Sequence, residues 1–287
     1  MSFLKEIKTF FTDIKIEHTV FALPFAVMSA FIASEGIPQK EKIFWIIIAM
    51  IGARSWAMAF NRVADSGLDA VNPRTKNRAI PSGLLSKQKM WVFGIFSILI
   101  FEFAAYSLNR LAFILSPLAL LIISFYSYTK RFTSLSHLFL GLSLSIAPVG
   151  AWVAIREEIS LVSAELALAV MLWTAGFDIL YSLQDLDFDR TYGLYSIPKK
   201  IGVKNSLTLS KSLHILTVLI LFSIAFFSFL GKIYLIGVIL SSFFLIYEHL
   251  LIKENDLSKI NKAFFNMNGI VSLTLMVFTV ADCMLGK

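Results

Sequence analysis

The chain has 287 residues, 57% of them hydrophobic and 14% aromatic, with a mean hydropathy of +0.76. That is well above the apolar share of soluble domains and predicts a single all-α integral-membrane domain over 1–287. The net charge of +7 is spread over several short loops, which disfavours nucleic-acid binding, and one cysteine, Cys283, excludes an internal disulfide or a cysteine metal site.

In chain order, segment 2–16 places Lys5, Lys8 and Lys15 among apolar residues. It has no short apolar core with a small-residue cleavage site, so it reads as an interfacial helix. Crossing a hydrocarbon core of about 30 Å takes roughly 20 helical residues. Nine stretches qualify: 19–35, 43–61, 91–109, 111–129, 138–155, 166–184, 213–231, 233–251 and 267–285.

The second stretch leads into Asn61, Asp65 and Asp69, four residues apart and therefore on one helix face. Arg54 lies seven residues before Asn61 on that face and keeps its proton. It either offsets the aspartates or holds an anionic group of a second substrate. A basic loop follows, from Asn72-Pro73 to Arg78-Ala79-Ile80-Pro81-Ser82-Gly83. The fourth stretch ends with Tyr126 and Lys130, again four apart, and Lys130 and Arg78 are candidate phosphate partners. The sixth carries Asp178 and Tyr181 and leads into Asp185 and Asp189, with Asp178 two turns deeper than Asp185, while Asp187 points off this face. Its loop, from Gly193 to Ser196-Ile197-Pro198, echoes the first loop as a weak internal duplication.

Positive charge accumulates on the cytoplasmic side of membrane proteins. With nine spans and the N-terminus inside, the inner segments hold 19 of the 26 Lys and Arg, and both aspartate clusters face the cytoplasm. The expected location is the cell inner (cytoplasmic) membrane.

An aspartate at a span centre costs about 2.5–3.5 kcal/mol, less near the interface, so these ligand-type residues call for compensation. Mg²⁺ prefers oxygen ligands and is commonly held by one or two carboxylates plus substrate phosphates. The clusters therefore read as half-sites that a diphosphate completes, and without a ligand their repulsion is expected to be severe. A cation transporter also places acids in spans, but it needs them near the midplane with access from both sides.

The pattern Asn61-x3-Asp65-x3-Asp69, with Asp178-x2-Tyr181-x3-Asp185-x3-Asp189 and Tyr126-x3-Lys130, resembles the UbiA superfamily of intramembrane aromatic prenyltransferases. The likeness covers nearly the whole chain. Within the superfamily, Glu17-His18-Thr19-Val20-Phe21-Ala22-Leu23-Pro24-Phe25-Ala26, Gly176-Phe177-Asp178-Ile179-Leu180-Tyr181 and Gly193-Leu194-Tyr195-Ser196-Ile197-Pro198 are similar to the bacterial 4-hydroxybenzoate polyprenyltransferase group. The resemblance implies Mg²⁺ held by Asn61, Asp65, Asp69, Asp185 and Asp189 around a polyprenyl diphosphate, with Arg78 and Lys130 as basic partners. It implies Arg54 toward a small aromatic acid, 4-hydroxybenzoate, and a prenyl tail in a channel open to the lipid bilayer. The expected activity is transfer of the prenyl group to the acceptor's ring carbon, with Asp185 or Asp189 removing the ring proton. The alternative is a different aromatic acid, such as an intermediate of the futalosine route to menaquinone.

Overall fold

A computed structural model of the chain describes residues 3–15, 19 and 21–286. Glu17, His18 and Val20 of the stretch 17–26, the ends of segment 2–16 and Lys287 lie outside them. Among the described residues, helices are the only extended regular element; an isolated bridge joins Lys253 to Asp256. The helices run α1 (Phe3–Asp13), α2 (Leu23–Ala33), α3 (Lys40–Ala64), α4 (Ser66–Val71), α5 (Lys87–Leu108), α6 (Arg110–Thr129), α7 (Ser136–Arg156), α8 (Leu161–Ser182), α9 (Leu186–Thr191), α10 (Ile197–Phe227), α11 (Lys232–Leu251), α12 (Ile260–Lys262) and α13 (Asn268–Leu285). A 3₁₀ turn, Leu183–Asp185, separates α8 from α9, and a π-helical turn, Ala263–Met267, precedes α13.

Eight described helical stretches are long and apolar enough to cross a membrane. Sequence-local signals set their ends. Ser86 and Asn109 accept the backbone N–H of Lys89 and Ala112 at the starts of α5 and α6, and Ser160 and Ser163 form a reciprocal cap on α8. At 22 residues, α5 is about 33 Å long, which matches the bilayer core. Phe96, Phe103, Leu121, Phe243 and Leu250 remain exposed on the outer faces, as lipid-facing side chains should.

The expected first span is where the structure departs from the sequence reading. Over 19–35 the long element is α2, of 11 residues or about 16 Å, so eight described stretches have spanning length where nine were expected. The reason is its position. Phe25, Ala26, Met28, Ala30, Ile32 and Ala33 are all buried, and α2 packs against α7, α13 and α3. A helix surrounded by protein does not need lipid-matched length, and Glu35 and Gly36 end it at positive φ. Around it, α7, α8, α10, α11 and α13 form a continuous set of neighbours closing back on α2. Phe25, Met28, Trp152, Trp173, Phe177, Leu221 and Tyr234 fill the core between them.

Helix α1 is more than an interfacial ornament. Its Phe10 and Ile14 are buried with Ala59, Ala79, Leu85 and Met90, while Leu4 on the other face is exposed. This docks the N-terminal segment against α3 and the 72–86 loop.

Close helix approach depends on missing side chains. A Cβ at Gly141 would lie 2.3 Å from the backbone oxygen of Met171, so α7 and α8 touch backbone to side-chain-free backbone. Overpacking of this kind typically costs about 1–3 kcal/mol. Gly141→Ala should therefore lower the thermal midpoint of the protein in detergent. Gly150→Ala, where nothing lies within 4 Å, should leave it unchanged.

Candidate active site

Both acidic clusters sit where a span gives way to a short helix. α3 ends at Ala64 and Asp65 forms the joint to α4, whose fourth residue is Asp69. Likewise α8 ends at Ser182, Asp185 closes the 3₁₀ turn, and Asp189 is the fourth residue of α9. The first column keeps the i to i−4 pattern across its break, since Asp65 N donates to Asn61 O and Asp69 N to Asp65 O, both at 2.8 Å. In the second, the tighter 3₁₀ turn interrupts the expected continuous helix face between Asp178 and Asp185.

The expected repulsion between the columns is not what the structure contains, because each of three carboxylates is met by cations. Asp65 is 2% exposed; it accepts Lys130 Nζ at 2.5 Å, Arg131 Nη2 at 2.9 Å and Asn61 Nδ2 at 3.0 Å. Asp69 receives Arg78 Nη1 on both oxygens at 2.8 Å. Asp185 takes a two-pronged contact from Arg74, through Nε at 3.0 Å and Nη2, and a third bond from Asn72 Nδ2 at 3.1 Å. Burial works against the charge on Arg74. The hydrogen bond and attraction of Asp185 outweigh it and raise the guanidinium above its ordinary pKa. Since Asn72 and Arg74 belong to the loop after the first column, that loop ties the two columns together.

Deeper in the cavity, Asp178 bonds His137 Nδ1 at 2.7 Å, and the backbone N–H of Ile197 donates to His137 Nε2 at 3.4 Å. With Nε2 accepting, Nδ1 is the nitrogen left to donate to Asp178. Tyr181 stacks on Phe264 with ring centroids 4.1 Å apart, and its hydroxyl accepts from Arg74 at 3.1 Å. Phe21 and Phe177 complete an aromatic wall around Phe264, at 5.5 and 5.3 Å.

One cavity of about 320 Å³ is lined by Arg54, Asn61, Asp65, Asp69, Arg78, Tyr126, Lys130, Asp178, Tyr181, Asp185 and Asp189, so all the sequence-predicted site residues meet there. Phe21, Phe177 and Phe264 line it too. Arg54 Nη2 donates to the carbonyl of Lys15, just after α1. Asp187 is fully solvated and pairs with Arg190, as its off-face position predicted. The sequence reading missed Asn72, Arg74, Arg131, Arg62 and His137 as members of the network. Arg74 and Asn72 stood inside the recognised loop and Arg131 beside Lys130, so proximity to a marked residue was their signal. Nothing local marked His137.

The metal-type donors are hard carboxylate oxygens of four aspartates, with the amide nitrogens of Asn61 and Asn72 turned toward Asp65 and Asp185. Such a donor set suits Mg²⁺, which keeps waters and shares its shell with phosphate. Among the described residues, no three His, Cys, Asp or Glu stand close enough to cage a metal by themselves. A second, wholly apolar groove of about 500 Å³ lies between α2 and α13, lined by Val27, Phe31, Met276, Val277, Val280 and Met284.

Residues 22–270 match the model of the UbiA prenyltransferase family. The chain belongs to that family. It is similar to the 4-hydroxybenzoate octaprenyltransferase of Vibrio atlanticus, at 28% identity over 251 residues, covering 87% of this chain and 88% of that protein. The apo structure of a UbiA homolog from Aeropyrum pernix superposes with a TM-score of 0.85 at 33% identity, covering 93% of this chain and 98% of that one. A UbiA homolog from Archaeoglobus fulgidus, bound to DMAPP and Mg²⁺, gives 0.73 at 18% identity, with 96% and 99% covered. This UbiA family member is thus an integral membrane protein with the family's all-helical fold.

Removing one partner from a desolvated charge cluster leaves the others uncompensated, at a cost of about 1–3 kcal/mol where they are partly solvated. Asp65→Ala leaves Lys130 and Arg131 facing each other without their shared acceptor, and should lower the thermal midpoint. Asp187→Ala, on a side chain 98% exposed, should not.

Proposed function

We propose that this chain transfers a polyprenyl group from a polyprenyl diphosphate to the ring carbon ortho to the hydroxyl of 4-hydroxybenzoate, with Mg²⁺, in quinone biosynthesis. The observation carrying this reading is the interlocking of three carboxylates, Asp65, Asp69 and Asp185, with Lys130, Arg131, Arg78 and Arg74 around one cavity that Asp189 also lines. A diphosphate with divalent cations is the ligand whose charges pair with both halves of such a network. The curated relatives named as 4-hydroxybenzoate octaprenyltransferases support the acceptor, and the Archaeoglobus homolog with DMAPP and Mg²⁺ supports the donor class. Positive-inside bias supports a cavity mouth at the cytoplasmic face of the inner membrane.

Asn61, Asp65, Asp69, Asp185 and Asp189 would hold the Mg²⁺, which supplies Lewis-acid neutralisation of the departing charge. Lys130, Arg131, Arg78 and Arg74 would be the cations available to the phosphate oxygens. They stabilise the leaving group as the allylic C–O bond breaks. The allylic cation is then flanked by the faces of Tyr181, Phe177 and Phe264, which attract positive charge and exclude water. Arg54 holds the carboxylate of the aromatic acid. The ring carbon's electron pair forms the new C–C bond, and a base takes the ring proton so that aromaticity returns. The sequence reading gave this role to Asp185 or Asp189. Asp178, which bonds His137 and lines the same cavity, joins them as a candidate acceptor. The tail runs along the apolar groove between α2 and α13, since each buried CH₂ contributes about 0.8 kcal/mol.

Membranes carrying the protein should prenylate labelled 4-hydroxybenzoate from a panel of polyprenyl diphosphates, fall silent with EDTA and recover with Mg²⁺. Product from other aromatic acids alone would reassign the acceptor. Asp65→Ala and Asp185→Ala should abolish turnover, and activity retained by both would contradict the reading. Arg54→Ala should raise the acceptor's KM more than the donor's. If Asp178 takes the proton, Asp178→Asn should expose a deuterium isotope effect with ring-deuterated acceptor, because proton removal becomes slow.

A further inference from the structure

Asp13, the last residue of α1, lies outside the cavity and outside every motif of the site. Yet it is among the most connected carboxylates in the protein. Its Oδ2 accepts Arg62 Nε at 3.1 Å, its backbone carbonyl accepts Arg62 Nη2 at 2.8 Å, and its Oδ1 accepts the backbone N–H of Ala79 at 2.7 Å. The Asp13 and Arg62 side chains are 8% and 4% exposed, so the pair is desolvated.

The two Arg62 bonds and the Ala79 bond lead to different halves of the first acidic cluster. Arg62 Nη1 donates to Asn61 Oδ1 at 3.2 Å. That bond fixes the amide so that Nδ2 points at Asp65, 3.0 Å away. Ala79 follows Arg78 directly, and Arg78 grips both oxygens of Asp69. The Asp13 carboxylate thus sets the orientation of Asn61 on α3 and the placement of Arg78 on the loop, two groups that otherwise share no element. Conserving the angle of a ligand through a second set of hydrogen bonds is how metal and phosphate sites are tuned.

We infer that Asp13 is a positioning residue for diphosphate and metal binding, acting through Arg62–Asn61 and through Ala79–Arg78, and that α1 belongs to the active site's supporting shell. This rests on the proposed diphosphate chemistry for its functional consequence, while the loop-ordering part stands without it. A merely structural role, docking α1 on the bundle, has its own marker in the same helix. Glu6 pairs with Lys89 at 2.6 Å and also pins α1 to α5, but touches nothing that reaches the cavity.

The test compares the full-length protein with Asp13→Asn, which keeps shape and an acceptor, Asp13→Ala, and Glu6→Gln. Three readouts are used: hydrogen–deuterium exchange of the 72–86 loop without ligand, thermal stabilisation by inorganic pyrophosphate with Mg²⁺, and the acceptor's KM. Loss of supporting contacts typically weakens metal sites about 10–100-fold. In Asp13→Asn the loop amides around Ala79 should exchange faster, and half-saturation by Mg²⁺-pyrophosphate should rise by about that factor. The acceptor's KM should change little, and Glu6→Gln should match the wild type in all three. Wild-type exchange and binding in Asp13→Asn would overturn the inference, as would equal losses in Glu6→Gln. If the wild type itself shows no Mg²⁺-pyrophosphate stabilisation, the diphosphate reading fails, and the exchange measurement still decides whether Asp13 orders the loop. Should Asp13→Ala fail to fold, Asp13→Asn carries the comparison.

Discussion

Gathering four carboxylates at one end of a membrane bundle is possible only because each meets a counter-charge or a hydrogen-bonding partner in the same protein. Buried charge without pairing costs several kcal/mol per ion, more than a single helix contact returns. Lys130 and Arg131 at the end of α6, Arg78 and Arg74 in the loop after α4, and His137 on α7 come from separate segments. Neutralising the aspartates therefore fixes how α3, α6, α7 and α8 are disposed around the cavity. The architecture and the site are one electrostatic solution.

On the proposed reading, the same network makes ligand binding an exchange in which phosphate oxygens and cations would substitute for partners that are already present. A small monoanion can take the place of one carboxylate at most; a ligand bearing several negative charges together with hard cations can replace the set. Selectivity for such a ligand follows from the number of internal pairs to be re-formed.

Much of this was legible in the sequence because its signals are local. Apolar runs of spanning length gave most of the long helices within a few residues of their observed ends. Helical spacing gave every aspartate that lines the cavity. What escaped depends on long-range packing. The length of α2 is set by neighbours that relieve it of lipid contact, and hydropathy alone does not report that. The 3₁₀ turn at Leu183–Asp185 breaks a face that spacing drew as continuous. His137 and Asp13 are single polar residues more than forty positions from their partners Asp178 and Arg62. No periodicity could pair them.

The joints at Asp65 and Asp185 carry a mechanical consequence. Each acid stands between a membrane-length helix and a six-residue one, Ser66–Val71 or Leu186–Thr191, instead of in the middle of a rigid rod. Each stub carries its own aspartate, so the two columns are aimed by short segments whose direction is set apart from that of the long helices in the bilayer.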